Sequence, residues 1–203
     1  GKHYPGEPLP RWALLIQRLA DGRPLWRDAT RFRADTEPGT HTPDTVKKAI
    51  LALARALAVD PARALPLAET EKPADVVGYV LPLDHNGTAW VTDDWIPAFR
   101  TPNSHLPSPI LPLFAGESSA GLRLPLHQLG EKNIRRALTV EVRSGTLTIF
   151  VPPLLLPAYI ALLAAIEDTL TKLNLRDIVR VARGEVPAAS AILDRFLHHA
   201  EVV

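Results

Sequence analysis

The distribution of proline is the feature that most limits the fold of this chain. Its 203 residues contain 20 prolines, and most of these separate short apolar runs. Proline lacks a backbone N–H and fixes φ, so it interrupts helices and central strands. The pattern therefore favours short strands joined by rigid, extended connections and argues against an all-helical bundle.

Two segments nevertheless carry clear helical signals. Thr42 has the residue type preferred at an N-cap, Pro43 suits the first helical position, and apolar residues follow at helical spacing. This spacing predicts a helix over about 43–59. A second helix is predicted from Pro157 to about Leu173, and a third over about 188–199.

Strand signals fill most of the remaining chain. Residues 136–143 alternate between apolar and polar side chains, Ser144-Gly145 supplies a turn, and 146–151 predicts the returning strand of a hairpin. Asn86-Gly87 predicts a type I′ hairpin turn. Asp21-Gly22 predicts another hairpin, although the apolar run before it also suits a helix. Further strands are predicted at 76–81, 110–114, 121–126 and 178–181.

The order of these elements predicts an α+β fold, with a mostly antiparallel sheet and two or three helices packed on one face. We expect a single α+β domain over residues 1–183, followed by a C-terminal helical tail over 184–203.

Composition narrows the classes of function. The formal charge is +1, which argues against a nucleic-acid partner. The chain has no cysteine, so disulfides and thiolate metal sites are excluded. Its most apolar stretch, 149–166, is broken by prolines, and residues 1–12 do not resemble a signal peptide. We therefore expect no membrane partner and a cytoplasmic location.

Gly116 to Gly121 includes two serines but does not fit a hydrolase nucleophile elbow. That motif needs a glycine two residues on each side of the serine. If the motif is centred on Ser118, Ala120 occupies the position of the second glycine. If it is centred on Ser119, Glu117 occupies the position of the first glycine. A polar turn is the expected structure.

Acids and histidines offer few candidates for a metal site. The Asp93-Asp94 pair could ligate magnesium together with a residue from elsewhere, whereas Glu167-Asp168 is expected on the solvated face of a helix. His198 and His199 are neighbours, and adjacent helical positions point about 100° apart, so they would not chelate one metal.

The opening loop carries Lys2, His3, Glu7 and Arg11 among prolines and glycine. Rigid loops that carry charge often line binding sites. This loop is therefore a candidate wall of a site, and a surface cap whose path is fixed by proline is the alternative.

Several segments together resemble the bacterial putative amidoligase family, a glutamine-synthetase-like region that lies behind a transglutaminase-like domain in large proteins. The resemblance extends from residue 1 to roughly residue 180. It rests on residues 1–14 (GKHYPGEPLPRWAL), 21–28 (DGRPLWRD), 77–83, 120–126 and 137–153.

The resemblance implies a ligase that uses ATP and magnesium to activate a carboxylate as an acyl phosphate and then joins it to an amine. The family's GGEPTF motif lies upstream of the region that this chain resembles, and its EVNxHP and GGGNH motifs lie downstream. None of them occurs here. We therefore expect no catalytic residue, metal site or cofactor in this chain. The residues carried over, as wall or phosphate contacts, are Lys2, Glu7, Arg11 and Arg123.

The last residues, 191–203, resemble instead the C-terminal helix of the IstB-like helper ATPases of insertion-sequence transposases. The main hypothesis is a non-catalytic fragment or accessory module of an ATP-dependent amidoligase. Its partners would be the remaining segments of the parent ligase or a second copy of the chain. The alternative is a stand-alone interaction or ligand-binding domain.

Overall fold

The computed structural model describes residues 23, 24, 26–28, 39–70, 75–99, 109–175 and 179–183. It confirms the predicted α+β class. The helices are α1 (Pro43–Ala56), α2 (Ile96–Phe99) and α3 (Leu156–Lys172). The strands are β1 (Leu65–Glu69), β2 (Val76–Pro82), β3 (Asp84–His85), β4 (Trp90–Val91), β5 (Leu111–Leu113), β6 (Ala137–Arg143), β7 (Thr146–Val151) and β8 (Val179–Arg183).

Six of these strands form one sheet in the order β5-β1-β2-β6-β7-β8. The three central pairings, β1–β2, β2–β6 and β6–β7, are antiparallel, which confirms the predicted mostly antiparallel sheet. Both edge strands run parallel to their neighbours, β5 to β1 and β8 to β7. Strands β3 and β4 pair separately as a short hairpin.

Helix α1 begins where the sequence predicts. Thr42 is its extended N-cap, Pro43 occupies the first turn, and Asp44 and Arg55 complement the charge of the two helix ends. The helix ends at Ala56, slightly before the predicted 59, and Ala58 then adopts a positive φ of 56°. Its buried residues are Val46, Ala49, Ile50, Leu53 and Ala54.

Helices α1 and α3 cover the same side of the sheet, which we call the helix face. Its core is aliphatic, because alternate residues of the strands point toward buried residues of the two helices. From the sheet it includes Leu81, Leu138, Val140, Leu147 and Ile149, and from α3 it includes Leu162, Leu163, Ile166 and Leu170.

The β6–β7 hairpin turns through Ser144 and Gly145, which have φ of 47° and 71°. Two consecutive positive values match the predicted tight turn. The Gly39 N–H donates to the Ser144 carbonyl and the His41 N–H donates to the Gly145 carbonyl, both at 2.9 Å. A Cβ at Gly145 would lie only 1.9 Å from the Gly39 carbonyl oxygen, so glycine permits this close approach.

The opposite side of the sheet, here the loop face, is covered by α2 and by 3₁₀ helices at Ala120–Leu122 and Leu126–Gln128. A second apolar cluster lies here, around the buried Trp95, whose indole N–H donates to the Ile134 carbonyl at 3.0 Å. The strand predicted at 121–126 is therefore wrong. Backbone hydrogen bonds there close short turns, including Leu122 N–H to the Ser119 carbonyl at 2.9 Å.

The hairpin predicted at Asn86-Gly87 is present, but its turn is not type I′. Only Gly87 has a positive φ, whereas type I′ requires one at both central positions. Instead the Asn86 carboxamide accepts hydrogen bonds from the N–H groups of Thr88 and Ala89, at 3.0 and 2.9 Å. This side-chain turn bridges a longer loop.

The remaining predicted strands and helices have mixed outcomes. Strands at 76–81, 110–114 and 178–181 and the helix from Pro157 are confirmed, with bounds that shift by a few residues. The Asp21-Gly22 hairpin and the helix over 188–199 lie outside the described residues. The boundary between residues 183 and 184 stays a prediction.

Candidate functional site

Of the four residues expected to line a site, the structure describes one. Lys2, Glu7 and Arg11 lie outside the described residues, so their convergence with Arg123 stays a prediction. Arg123 follows the 3₁₀ helix Ala120–Leu122 on the loop face and is only 3% exposed.

The Arg123 guanidinium makes several contacts within the protein. Its Nε donates to the Ser118 carbonyl at 2.8 Å. Its Nη1 donates to Glu69 Oε2 at 2.8 Å and to the Phe114 carbonyl at 3.1 Å. Its Nη2 is buried without a hydrogen-bond acceptor among the described residues and lies 3.8 Å from Glu141 Oε2. These contacts join β1, the turn before the 3₁₀ helix, and β6.

Glu141 is the acidic centre of this cluster and was not among the sequence-predicted site residues. It is 1% exposed on the loop face of β6. Its Oε1 accepts from the Ala120 N–H at 2.9 Å, and its Oε2 accepts from Arg143 Nε at 3.1 Å. A buried carboxylate needs such partners, because desolvation of an unpaired charge is costly.

Arg143 extends the cluster to the surface. Its two Nη groups donate to the carbonyls of Glu117 and Ser118. Two arginines thus hold one exposed turn against the sheet, and the polar turn predicted around Ser118 is present. We call Glu69, Arg123, Glu141 and Arg143 the polar cluster.

Residue spacing alone gave no direct signal for the polar cluster. Its four members come from two strands, β1 and β6, and a connection, and their charges balance as two arginines and two glutamates. The one usable hint was the alternation in β6, where Thr139 and Glu141 share a face. In the structure both are buried, at 0% and 1% exposure, because the loop face is covered as fully as the helix face.

Asp93 and Asp94 make contacts within the protein instead of forming a shared metal site. Asp93 Oδ2 accepts from Asn133 Nδ2 at 2.8 Å and from the Ile134 N–H at 2.9 Å. Asp94 pairs with Arg63. Burial favours the neutral form of Asp93, but these hydrogen bonds and the charge of Arg63 outweigh it and lower the pKa of Asp93 below its ordinary value.

The expected solvated acidic pair on α3 is wrong for Glu167, which is 2% exposed. Its Oε1 accepts from the Asp28 N–H at 2.7 Å and its Oε2 accepts from Arg27 Nε at 3.0 Å. Arg27 also pairs with the half-exposed Asp168, and the hydrogen bonds that Arg27 donates to Asp168 and Glu167 raise its pKa. Trp26 packs against the helix-face core.

These contacts give a structural role to the WRD end of the DGRPLWRD segment, residues 26–28. Trp26 adds apolar contact, while Arg27 and the Asp28 backbone attach to α3 through Glu167. Consecutive residues thereby fix this part of the chain against a distant helix.

The described residues contain no group of three or more His, Asp or Glu side chains that could hold a metal ion. Among the described helices, none combines the length with the apolar character that crossing a bilayer requires.

Comparison with known proteins gives a family match over part of the chain. Residues 1–74 match the family described as "Putative amidoligase enzyme". No curated protein and no solved structure shows significant similarity to the chain. The match supports the amidoligase resemblance over these residues. The extension toward residue 180, the transglutaminase context and the IstB-like character of the last residues stay predictions.

Proposed function

We propose that this chain is a non-catalytic accessory module of an amidoligase-type protein, completed by segments or chains that carry the nucleotide and metal ligands. The observation that carries the proposal is the family match over residues 1–74. Its described part includes α1, β1 and the Trp26–Asp28 segment.

The two buried glutamates of the described part favour an accessory role, because their carboxylates are engaged within the protein. Ligation driven by ATP needs acids free to hold magnesium near the phosphates. Here Glu141 binds Arg143 and the Ala120 N–H, and Glu167 binds Arg27 and the Asp28 N–H. These acids therefore do not fit a magnesium–nucleotide site.

Arg123 supports the same role. Its guanidinium is buried and spans Glu69 and two backbone carbonyls, so moving it to a phosphate would leave Glu141 and Glu69 with fewer partners. A cytoplasmic location fits the proposal, since the parent reaction consumes ATP.

Thermal unfolding with Mg–ATP tests this proposal. A ligand at 100 times its Kd stabilises a folded protein by about 2.7 kcal/mol, which raises Tm by roughly 5–10 °C for a domain of this length. We expect a shift below about 1 °C, equal to that with magnesium alone. A larger shift that needs both ATP and magnesium would show a complete nucleotide site.

A second experiment tests for completion by another chain. An adjacent reading frame with the GGEPTF, EVNxHP and GGGNH motifs would identify a candidate, which is then co-expressed with this chain. We expect a stable complex that consumes ATP and joins a carboxylate to an amine, with an amide, ADP and inorganic phosphate as products. Activity in the partner alone, unchanged by this chain, would argue against an accessory role.

A protein-interaction domain is the second candidate function, and exposed apolar side chains favour it. Phe114 is 51% exposed and stacks on His127 with ring centroids 5.6 Å apart, and Leu155 is 70% exposed. Large apolar side chains at the surface often mark contact sites. Replacement of Phe114 by serine should then weaken the binding of this chain to its partner protein without lowering the Tm of the chain.

A further inference from the structure

A cleft with a volume of about 300 Å³ lies between the C-terminal turns of α1 and α3. It is separated in sequence from the polar cluster and is built from both long helices. Its lining residues are Ala52, Arg55, Ala56, Thr169, Lys172 and Leu173.

The two cations of this cleft differ in their contacts from several of the arginines that the structure describes. Arg55 and Lys172 are exposed, and neither forms an ion pair with a carboxylate of the described residues. By contrast, each of the following arginines pairs with an acid: Arg27, Arg63, Arg123, Arg136 and Arg143. The cleft therefore carries positive charge that the described part of the protein does not neutralise.

The remaining lining is mostly apolar. Ala52, Ala56 and Leu173 contribute aliphatic surface, and Thr169 is buried at 4% exposure. Small-molecule sites typically combine apolar walls with a few charged groups that fix orientation, and their volumes begin at about 300 Å³. This cleft is thus large enough for one small molecule.

We propose that the cleft binds a small organic anion, a monocarboxylate with a short aliphatic body. The carboxylate lies between Arg55 and Lys172, where the guanidinium can donate two parallel hydrogen bonds to it. The aliphatic body contacts Ala52, Ala56 and Leu173. Inorganic phosphate fits less well, because it offers no apolar surface to these walls. Binding here does not depend on amidoligase chemistry.

A simpler explanation for the two cations is that they complement helix dipoles. Arg55 and Lys172 occupy the last turns of α1 and α3, where positive charge is favourable. That explanation requires no ligand, and it predicts that added carboxylates do not bind at this place.

An NMR titration of the complete chain with hexanoate distinguishes the two explanations. We expect saturable shifts of the amide signals of Ala52, Ala56, Thr169 and Leu173. Hexanamide, which has the same body without the charge, should bind about tenfold more weakly, as should inorganic phosphate.

The double variant Arg55→Gln/Lys172→Gln should weaken hexanoate binding by about tenfold or more. The matched control is Lys47→Gln, which removes an exposed cation of α1 outside the cleft and should leave binding unchanged. Comparable Tm values would show that all variants fold.

Three results would overturn the proposal. One is the absence of saturable shifts in the native chain, and another is equal binding by the native chain and the double variant. The third is equal binding of hexanoate and phosphate, which would indicate attraction of any anion to surface charge. The hexanamide comparison uses only the native chain, so the proposal stays testable even if the double variant fails to fold.

Discussion

The two faces of the sheet are buried to a similar degree but are held by different interactions. On the helix face, aliphatic side chains of α1 and α3 pack against β2, β6 and β7. On the loop face, an apolar cluster around Trp95 adjoins the polar cluster of buried arginine and glutamate. Burial of apolar surface stabilises the helix face and does not depend on direction, whereas the stability of the loop face depends on particular charge partners.

Removal of the Glu141 side chain should have the largest effect on stability, because it leaves the buried charge of Arg123 with one carboxylate fewer nearby. We expect Glu141→Ala to lower the free energy of unfolding by about 3–5 kcal/mol. Urea unfolding followed by circular dichroism measures this change. Glu141→Gln keeps an acceptor for the Ala120 N–H and should lose less. A loss below about 1 kcal/mol in Glu141→Ala would mean that the polar cluster does not stabilise the loop face.

The helix face should respond to cavity formation instead. Leu162 is 0% exposed on α3, so Leu162→Ala should cost about 2–5 kcal/mol in the same unfolding experiment. Leu155 precedes the helix and is 70% exposed, so Leu155→Ala should change stability by less than about 0.5 kcal/mol. Equal losses in both variants would contradict the assignment of Leu162 to a packed core.

Glu167 offers a direct comparison with Glu141, since both glutamates are buried. The two sites differ in the exposure of a neighbouring cation. The Arg27 side chain beside Glu167 is 63% exposed and can return to solvent, whereas the Arg123 side chain near Glu141 is 3% exposed. We therefore expect Glu167→Ala to cost about 1–2 kcal/mol, most of it from the hydrogen bond to the Asp28 N–H. If the loss matched that of Glu141→Ala, the burial of the cation would not explain the difference between the two sites.

Asp93 should give the smallest effect, visible as a dependence of stability on pH. Its pKa is lowered on folding, so its contribution is complete above the ordinary value near 3.8 and is lost as pH falls through the lower, folded value. Unfolding of the native chain and of Asp93→Asn, compared at several pH values from about 2 to 6, measures this contribution. Parallel curves for the two proteins would refute it.

The elements that the sequence predicted well are those whose signals are local. The capping residues of α1 and the Ser144-Gly145 turn each lie within a few positions of the structure that they determine. The 3₁₀ helices near Arg123 could not be predicted in this way. Leu124-Pro125-Leu126 has an extended pattern. The chain just before it is positioned by the close approach of Gly121 to Phe150 and by the hydrogen bond that the Ala120 N–H donates to Glu141.

The candidate site shows the same limit more strongly. Arg123 was proposed from a resemblance, whereas Glu141 was missed. Its place in an alternating strand does not indicate that Arg123, which lies 18 positions earlier, will be its neighbour. The burial of Glu167 was missed for a related reason, since its partners Arg27 and Asp28 lie far away along the chain. Contacts between distant segments depend on how the elements pack, which single-sequence periodicity does not contain.

The two parallel edges of the sheet have a consequence for how the chain assembles. The β6–β7 hairpin is local and can form early, while β5 and β8 each reach their neighbour only after a long crossover. We expect these outer strands to join last and to detach first when the protein opens partially. Detachment would expose the unpaired backbone of β1 and β7 to other copies of the chain, so the sheet margins would govern its tendency to aggregate.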